Sequence, residues 1–513
     1  MVTGLLIIIG LLVVLAIALR LLFPLPSQDA RPADAAVVER SSPIVTQSQA
    51  IAAEAPGKTG LEVIPTGIDA FATRLALTKA ATRSIDAQYY IWEGDLSGRM
   101  LLEELVKAAD RGVRVRLLID DNTTAGLDPM WIAANSHPNI SVRLFNPLTI
   151  RSPRAANYLF SALRLNRRMH NKSMTFDNAV TVIGGRNVGD EYFGAREKGL
   201  FIDLDVVATG KVVGEVTDEF ERYWQSVSAF PAEHLLPAEG PTSLARLRNP
   251  DYEDKALAAD YRTAAETVFQ RRYDSGKPIP LLWTDVTLVA DNPDKVIDKA
   301  SPDDLVAAHI GPLISGATQR FDLVSGYFVP GNQGTGLLVD LEKKGVTVRV
   351  VTNSVQVTDV PLVHAGYAPY RPELLKAGVQ LYEVRPTDQP RERPKDLGTK
   401  FSGGGESVHA KTFSIDGRTI FIGSFNFDMR SALLNCEMGF IFDAPELAAQ
   451  MNASLDERLP GYSYEVKQGA DGQMTWTTIE DGKAEVLTPE PGTTGMSRAI
   501  TTFLGWLPIK WLL

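Results

Sequence analysis

Two histidines in this chain keep the same company. His170 is followed by Lys172 and Asp177, and His409 by Lys411 and Asp416, so that each is a His-x-Lys-x4-Asp unit. At average composition a given histidine has a chance of roughly one in several hundred of such neighbours. The chain has six histidines, and two of them match, so chance is a poor account. On a β-strand, residues two apart share a face. Each His and Lys should therefore point into one space, with Met174, Phe176, Phe413 and Ile415 buried away from that pair. The aspartates fall at turn dipeptides, Asp177-Asn178 and Asp416-Gly417. The chemistry that suits two such units is displacement at a phosphodiester. A neutral imidazole attacks phosphorus and forms a covalent intermediate. A protonated one gives a proton to the leaving alcohol and then takes one from the incoming alcohol or water. Imidazole can serve in both states near pH 7. Two lysines neutralise the non-bridging oxygens. This chemistry calls for no metal and no cofactor.

Further residues extend the candidate site. Gly184–Asn187 (GGRN) and Gly423–Asn426 (GSFN) place Asn187, Ser424 and Asn426 as donors to phosphate oxygens, with glycines that let the backbone come close. A charged imidazole also needs a carboxylate on its other nitrogen. Asp203 in FIDLDV and Glu437 in NCEMGF lie among apolar neighbours, where an acid needs a partner. His137, His234, His309 and His364 lack comparable neighbours and are read as structural.

The elements that must position these residues also occur twice. Ser84–Trp92 reads as a strand, the stretch from Gly98 to Arg111 as a helix, and Gly112–Asp121 as a buried strand. Phe321–Val329, a helix ending near Lys344, and Gly345–Ser354 repeat the pattern. Strand–helix–strand units imply right-handed crossovers and a mostly parallel sheet. The stretch from His170 to Asn187 matches that from His409 to Asn426 position by position, 239 residues later. So long a period means a duplicated domain rather than a solenoid. The expected division is an anchor at 1–23, a flexible linker at 24–60, a first lobe at 61–240, a helical connector at 241–280, a second lobe at 281–445 and a terminal segment at 446–513.

Composition narrows the setting. Of the 513 residues, 44% are hydrophobic and 22% charged, which is ordinary for folded domains. A net charge of −10 speaks against a nucleic-acid partner held by its backbone. Gly4–Phe23 carries one charge, Arg20, and is long enough for a bilayer. No basic residue precedes it, so an uncleaved membrane anchor is preferred to a signal peptide. Arg20, Arg31 and Arg40 after the span place the body on the cytoplasmic side. The tail Thr501–Leu513, with Trp506, Lys510 and Trp511, suits a lipid interface as well as a packed core. Arg164, Arg167 and Arg168, just before His170, suit anionic headgroups.

These residues resemble the phospholipase D superfamily over about Leu61 to Phe442. The resemblance is closest to bacterial cardiolipin synthases of the C type, carried by AQYYIWEGDLSGR, RGVRVRLLIDDN, TNSVQVTDVPLVHAGYA and SVHAKTFSIDGRTIFIGSFNFDMRS. It implies an α/β protein of two duplicated lobes, each a mostly parallel mixed sheet flanked by helices, with one active site at the lobe interface. It implies His170 as nucleophile and His409 as general acid and base. It also implies phosphatidylglycerol as substrate, a second phospholipid alcohol as acceptor, phosphatidylethanolamine as a co-substrate, and the bacterial inner membrane as location. The rival readings are a hydrolytic phospholipase D releasing phosphatidic acid, a phosphodiesterase or nuclease on the same scaffold, and a tethered binding protein with a dead site.

Overall fold

The structure, a computed structural model, describes residues 2–27, 34–195, 201–237, 242–275, 279–386, 407–480 and 482–499. It opens with α1 (Val2–Leu22), an apolar helix whose only charge is Arg20. The side chains of its first turns lie outside the described residues, and among the described residues no helix is long and apolar enough to cross a membrane. The segment expected as a flexible linker is instead packed from residue 34 onward. In it α2 (Pro43–Ala52) is capped by Ser42, whose hydroxyl also donates to the Asp177 carboxylate (2.6 Å), and Ile44 is buried against the first lobe.

The first lobe holds β1 (Thr59–Ile64), α3 (Gly67–Ala80), β2 (Ser84–Tyr89), α4 (Leu96–Asp110), β3 (Arg114–Asp120), β4 (Ile140–Phe145), α5 (Tyr158–Leu165), β5 (Ser173–Phe176), β6 (Val180–Gly184), β7 (Phe201–Ile202), β8 (Asp205–Gly210), α6 (Lys211–Trp224) and β9 (Ala229–Pro231). The connector contributes α7 (Lys255–Phe269), which packs on α3, and just beyond it β10 (Leu282–Thr284), expected to open the second lobe, pairs instead with β1 of the first. The nine strands run β10-β1-β8-β6-β5-β2-β3-β4-β9.

The second lobe repeats the plan with β11 (Val286–Ala290), β12 (Arg320–Ser325), β13 (Phe328–Val329), α8 (Gly331–Lys343), β14 (Thr347–Asn353), β15 (Gln380–Val384), β16 (Ser407–Val408), β17 (Lys411–Ile415), β18 (Thr419–Gly423), β19 (Phe427–Asp428), α9 (Met429–Leu433) and β20 (Met438–Asp443). After α10 (Pro445–Tyr462), strands β21 (Ser463–Gln468), β22 (Met474–Glu480) and β23 (Lys483–Leu487) extend the same sheet, so residues 463–487 continue the second lobe. The expected interfacial tail from Thr501 lies outside the described residues.

Both sheets are mixed. Parallel pairing is confined to β2-β3-β4 and β12-β14-β15, and the other pairs within the two sheets are antiparallel. The expectation of mostly parallel sheets extended one crossover unit to the whole lobe. The motif strands β5 and β17 instead turn back as hairpins into β6 and β18, and hairpins can only be antiparallel. Within a lobe the helices bury regular stripes. α4 starts at Asp95, which caps Gly98 N at 3.1 Å, and sets Met100, Leu101, Leu105, Ala108 and Ala109 into the core. Gly112 then takes φ +90, a turn an L side chain resists, and the chain enters β3.

The lobes meet through a shared apolar layer. Ile183, Val206 and Ala208 of the first lobe cluster with Ile420, Ile422, Met438 and Phe440 of the second. Among the described residues, backbone pairing also crosses the boundary near the site. β16 pairs in parallel with β7, and Met169 forms a parallel bridge with Cys436. His170 N donates to Cys436 O and His409 N to Ile202 O, both at 2.8 Å. The segment that carries each histidine is thus tied to the segment that carries the other lobe's acid.

Candidate active site

The two motif histidines enter one site from opposite lobes. Each imidazole is held by a carboxylate of the other lobe. His170 Nδ1 pairs with Glu437 Oε2 at 2.8 Å, and His409 Nδ1 with Asp203 Oδ2 at 2.6 Å. Gly184 faces Asp205 across β6–β8, and Gly423 faces Gly439 across β18–β20, which makes Asp203 and Glu437 equivalent positions. The duplication therefore places its acids in trans. Lys172 and Lys411 lie with the histidines. Lys172 Nζ donates to His170 O at 2.6 Å, and Lys411 Nζ stands 3.0 Å from His409 Nδ1. All six side chains are buried.

The equivalent halves are not identical. A Cβ on Gly185 would sit 2.1 Å from Asp203 Oδ1, so this glycine makes room for the acid. The space that this glycine leaves is filled by a carboxylate, where a close approach of substrate is the expectation from sequence. In the second copy the position is Ser424, whose hydroxyl donates to Glu437 Oε2 at 2.5 Å, while Ser431 donates to Oε1 at 2.8 Å. Ser424 thus braces an acid. Asn187 accepts from Ile91 N (3.2 Å) and donates to the Tyr192 hydroxyl (2.9 Å), so its amide is engaged at both ends. Asn426 is buried, with Oδ1 unpartnered within the described residues.

The motif aspartates stand apart from this cluster. Asp177 accepts from Arg83 N (2.8 Å) and Ser84 N (2.9 Å), and Asp416 from Gln319 N (2.8 Å) and Arg320 N (3.0 Å). Both sit at positive φ in the hairpin turns. They fasten the starts of β2 and β12, about 20 Å of strand from the ends that approach the histidines. Their spacing marks a turn, and turn aspartates bind nearby backbone. The burial pattern also differs from expectation. Lys411, Phe413 and Ile415 share one face of β17, and the face carrying the lysine runs on into the second lobe's core. The rule of two that pairs His with Lys puts the next alternate residues on the same side.

Several neighbours had no signal in the motifs. The Tyr90 ring meets His170 edge-on at 5.0 Å, and Tyr192 and Tyr327 meet His409 at 5.2 and 6.0 Å. Arg168, expected to bind headgroups, is fully buried against Asp120 at 2.6 Å, and Asp120 also accepts from Met169 N (2.8 Å). Arg164 is tied to Asn146 and Pro147, and Arg167 to Asp298 (2.8 Å). These arginines build the turn into His170. Of the remaining histidines, His137 pairs with Asp110 (3.1 Å) and His364 with Glu490 (2.7 Å).

Electrostatics separates the two halves. Burial lowers the His170 imidazole well below its usual range, with Lys172 and Lys411 adding to the effect. Burial and Lys411 hold His409 at about 4, against the pull of Asp203. Burial pushes Glu437 up to about 7 despite Lys172 and the serine hydroxyls. Burial also opposes the charge of Asp203, but its hydrogen bond to His409 and the charges of His409, Lys411 and Arg186 outweigh this and hold it at about 2. Burial takes Lys411 down to about 8 and Lys172 down as well. Asp203 thus offers His409 a firm anion, whereas Glu437 offers His170 a carboxyl that is easily neutralised.

Two duplicated lobes that share one site of two acid-braced histidines and two lysines define an enzyme of the phospholipase D type. The comparisons with known proteins agree. Residues 75–224 and 310–459 each match the family described as "Cardiolipin synthase, PLD-like domain". The chain is 42% identical to cardiolipin synthase C of Escherichia coli over 460 residues, which is 89% of this chain and 97% of that one. It is 26% identical to a probable cardiolipin synthase of Bacillus subtilis, over 78% of this chain and 66% of that one. The solved phosphatidylserine synthase of Haemophilus influenzae shares the fold, with a TM-score of 0.55 at 11% identity over 91% of this chain and 100% of that one. The chain belongs to the cardiolipin synthase, PLD-like domain family, and with it to the phosphatidyltransferases of the phospholipase D superfamily.

Proposed function

We propose that the chain joins two phospholipids into cardiolipin by way of a phosphatidyl-histidine. His170 attacks the phosphorus of phosphatidylglycerol. The bond from phosphorus to the glycerol headgroup breaks, and His409 gives the departing glycerol oxygen a proton. His409 then takes the proton of the second lipid's hydroxyl, whose oxygen displaces His170 from phosphorus. With phosphatidylglycerol as both donor and acceptor, the products are cardiolipin and glycerol. Phosphatidylethanolamine is carried as a co-substrate on the likeness to the C type of synthase.

The trans acid pairing carries this reading. Each Nδ1 is committed to a carboxylate, so the exchange with substrate falls to Nε2 of both rings. The unequal acids support the roles. Asp203 remains an anion and pulls His409 toward the imidazolium against the burial and Lys411 that hold it at about 4, and an arriving phosphate would add to that pull. Burial, Lys172 and Lys411 keep His170 uncharged, as a nucleophile must be, and Glu437, held at about 7, opposes this less than a firm anion would. Lys172 and Lys411 bend back to histidine carbonyls, and burial lowers both ammonium groups, Lys411 to about 8. An arriving phosphate would hold their protons more firmly. The Tyr90 and Tyr192 rings stand against the two histidines, and Asn426 keeps an oxygen that has no partner among the described residues.

We place the active body at the membrane through α1, on the strength of its apolar run and the exposure of its described side chains. The division into anchor, first lobe, connector, second lobe and terminal segment stands as part of the same proposal, with 34–58 strapped to the first lobe and 463–487 continuing the second. The test is full-length enzyme given labelled phosphatidylglycerol in bilayers. Cardiolipin and free glycerol in equal amounts are expected. Phosphatidic acid as the sole lipid product would reject transfer in favour of hydrolysis.

A further inference from the structure

The helix α5 carries apolar side chains that the fold leaves uncovered. Tyr158, Leu159 and Leu163 are 43%, 55% and 77% exposed. Leu433 on α9 is 51% exposed, and Arg430 of α9 donates to both Asn166 O and Asn166 Oδ1 at 2.8 Å, just past the end of α5. Two contacts give this patch a place. Inward, the Tyr158 hydroxyl donates to Asn122 Oδ1 at 2.8 Å, and the next residue, Thr123, donates its hydroxyl to the carbonyl of Tyr90 at 2.8 Å, the residue whose ring is set against His170. Outward, α1 packs on α5, with Ala16, Ala18 and Leu19 half-buried there, and Thr149 Oγ1 holds the Phe23 carbonyl at 3.0 Å.

We propose that Tyr158, Leu159 and Leu163 of α5, with Leu433, seat on the acyl region of a phospholipid bilayer and form the doorway through which a lipid headgroup reaches His170. This rests on the phospholipid substrate proposed above. The occupant follows from continuity with α1. A protein partner covers one face of a helix. The described side chains of α1 from Leu11 to Val14, a full turn, are all exposed and apolar, as are Leu21 and Leu22 beside α5. A bilayer covers every side of such a helix, and a surface packed against it must meet the same bilayer.

The test compares full-length enzyme with its Leu159→Glu/Leu163→Glu variant on two forms of phosphatidylglycerol. One is long-chain lipid in bilayers, and the other is short-chain lipid dispersed as monomers. The initial rate on bilayers should fall at least about tenfold, while the rate on monomers stays within about twofold. A Leu159→Phe/Leu163→Trp variant, still apolar, should keep the bilayer rate. An unchanged bilayer rate in the glutamate variant would overturn the proposal, and so would equal loss on both lipids, which would mean that the patch only supports the site. A halved mass of the detergent-solubilised glutamate variant would also overturn it, by making the patch a contact between copies. Transfer by the unaltered enzyme from neither lipid would overturn the substrate reading itself.

Discussion

At the scale of single residues, the proposed mechanism asks one histidine to be a nucleophile and the other to carry the protons, and the surrounding charges differ between the two. His170→Ala and His409→Ala should each lower turnover by more than about a thousandfold, measured as cardiolipin formed per enzyme, because no neighbour can replace either ring. Asp203→Asn should cost roughly 10²- to 10⁴-fold, since the amide holds the ring but not its positive charge. Groups that act as a unit are non-additive. Adding Asp203→Asn to His409→Ala should therefore change the residual rate by less than about threefold, and a multiplicative loss would separate the two residues. The lysines set an alkaline limit. With Lys411 at about 8, kcat/KM should decline above that pH as its ammonium is lost. Lys411→Arg should move the decline to higher pH, as pH profiles on phosphatidylglycerol would show, because guanidinium holds its proton.

At the scale of elements, the motif aspartates do structural work. Asp177 gathers the amides of Arg83 and Ser84 and the Ser42 hydroxyl, and so joins hairpin, strand start and α2. Asp177→Ala should destabilise the first lobe by about 2–3 kcal/mol, as lost charge-assisted bonds do. Folded enzyme should keep its kcat, and calorimetry beside activity per folded molecule checks both. This element is also where the sequence was legible and where it stopped. The crossover units could be read because mainly apolar stretches such as Val115–Ile119 and Val348–Val351 follow the glycine turns at Gly112 and Gly345. The hairpins that make the sheets mixed were present in the same motif, but a reading weighted to crossovers passed over them. Asp203 and Glu437 could be picked out as buried acids. Their exchange between lobes could not, because it depends on the docking of two sheets across residues more than two hundred apart. Tyr90, Tyr192 and Tyr327 carried no spacing signal, since Tyr90 and Tyr327 reach their histidines from just past strand ends and Tyr192 from the short helix Asp190–Phe193. Arg164, Arg167 and Arg168 looked like a headgroup site because a run of charge does not reveal that its partners, Asp120 and Asp298, come from other segments.

At the scale of the whole molecule, neither lobe owns a complete half-site. Each histidine is tethered by its backbone and its Nδ1 to the other lobe, so lobe docking and catalysis stand or fall together. Acid should reveal this. His409 is held at about 4 in the folded chain, below its unfolded value near 6.5, so the unfolded state binds the extra proton between those values. Its contribution to stability is complete above about pH 6.5 and is lost as pH falls toward 4. The melting midpoint should drop across that window, and His409→Gln should flatten the drop. The duplicated fold thus yields one asymmetric centre, and the proposed mechanism puts the phosphatidyl group on His170. The most direct test mixes the enzyme with bilayers of radiophosphorus-labelled phosphatidylglycerol, stops the reaction in alkaline detergent where phosphohistidine survives, and maps the labelled peptide. The label is predicted on the peptide containing His170, and it should accumulate when His409 is replaced by alanine if the first step still proceeds at its residual rate. Label on His409, or steady cardiolipin synthesis with no labelled peptide at any time, would contradict the account.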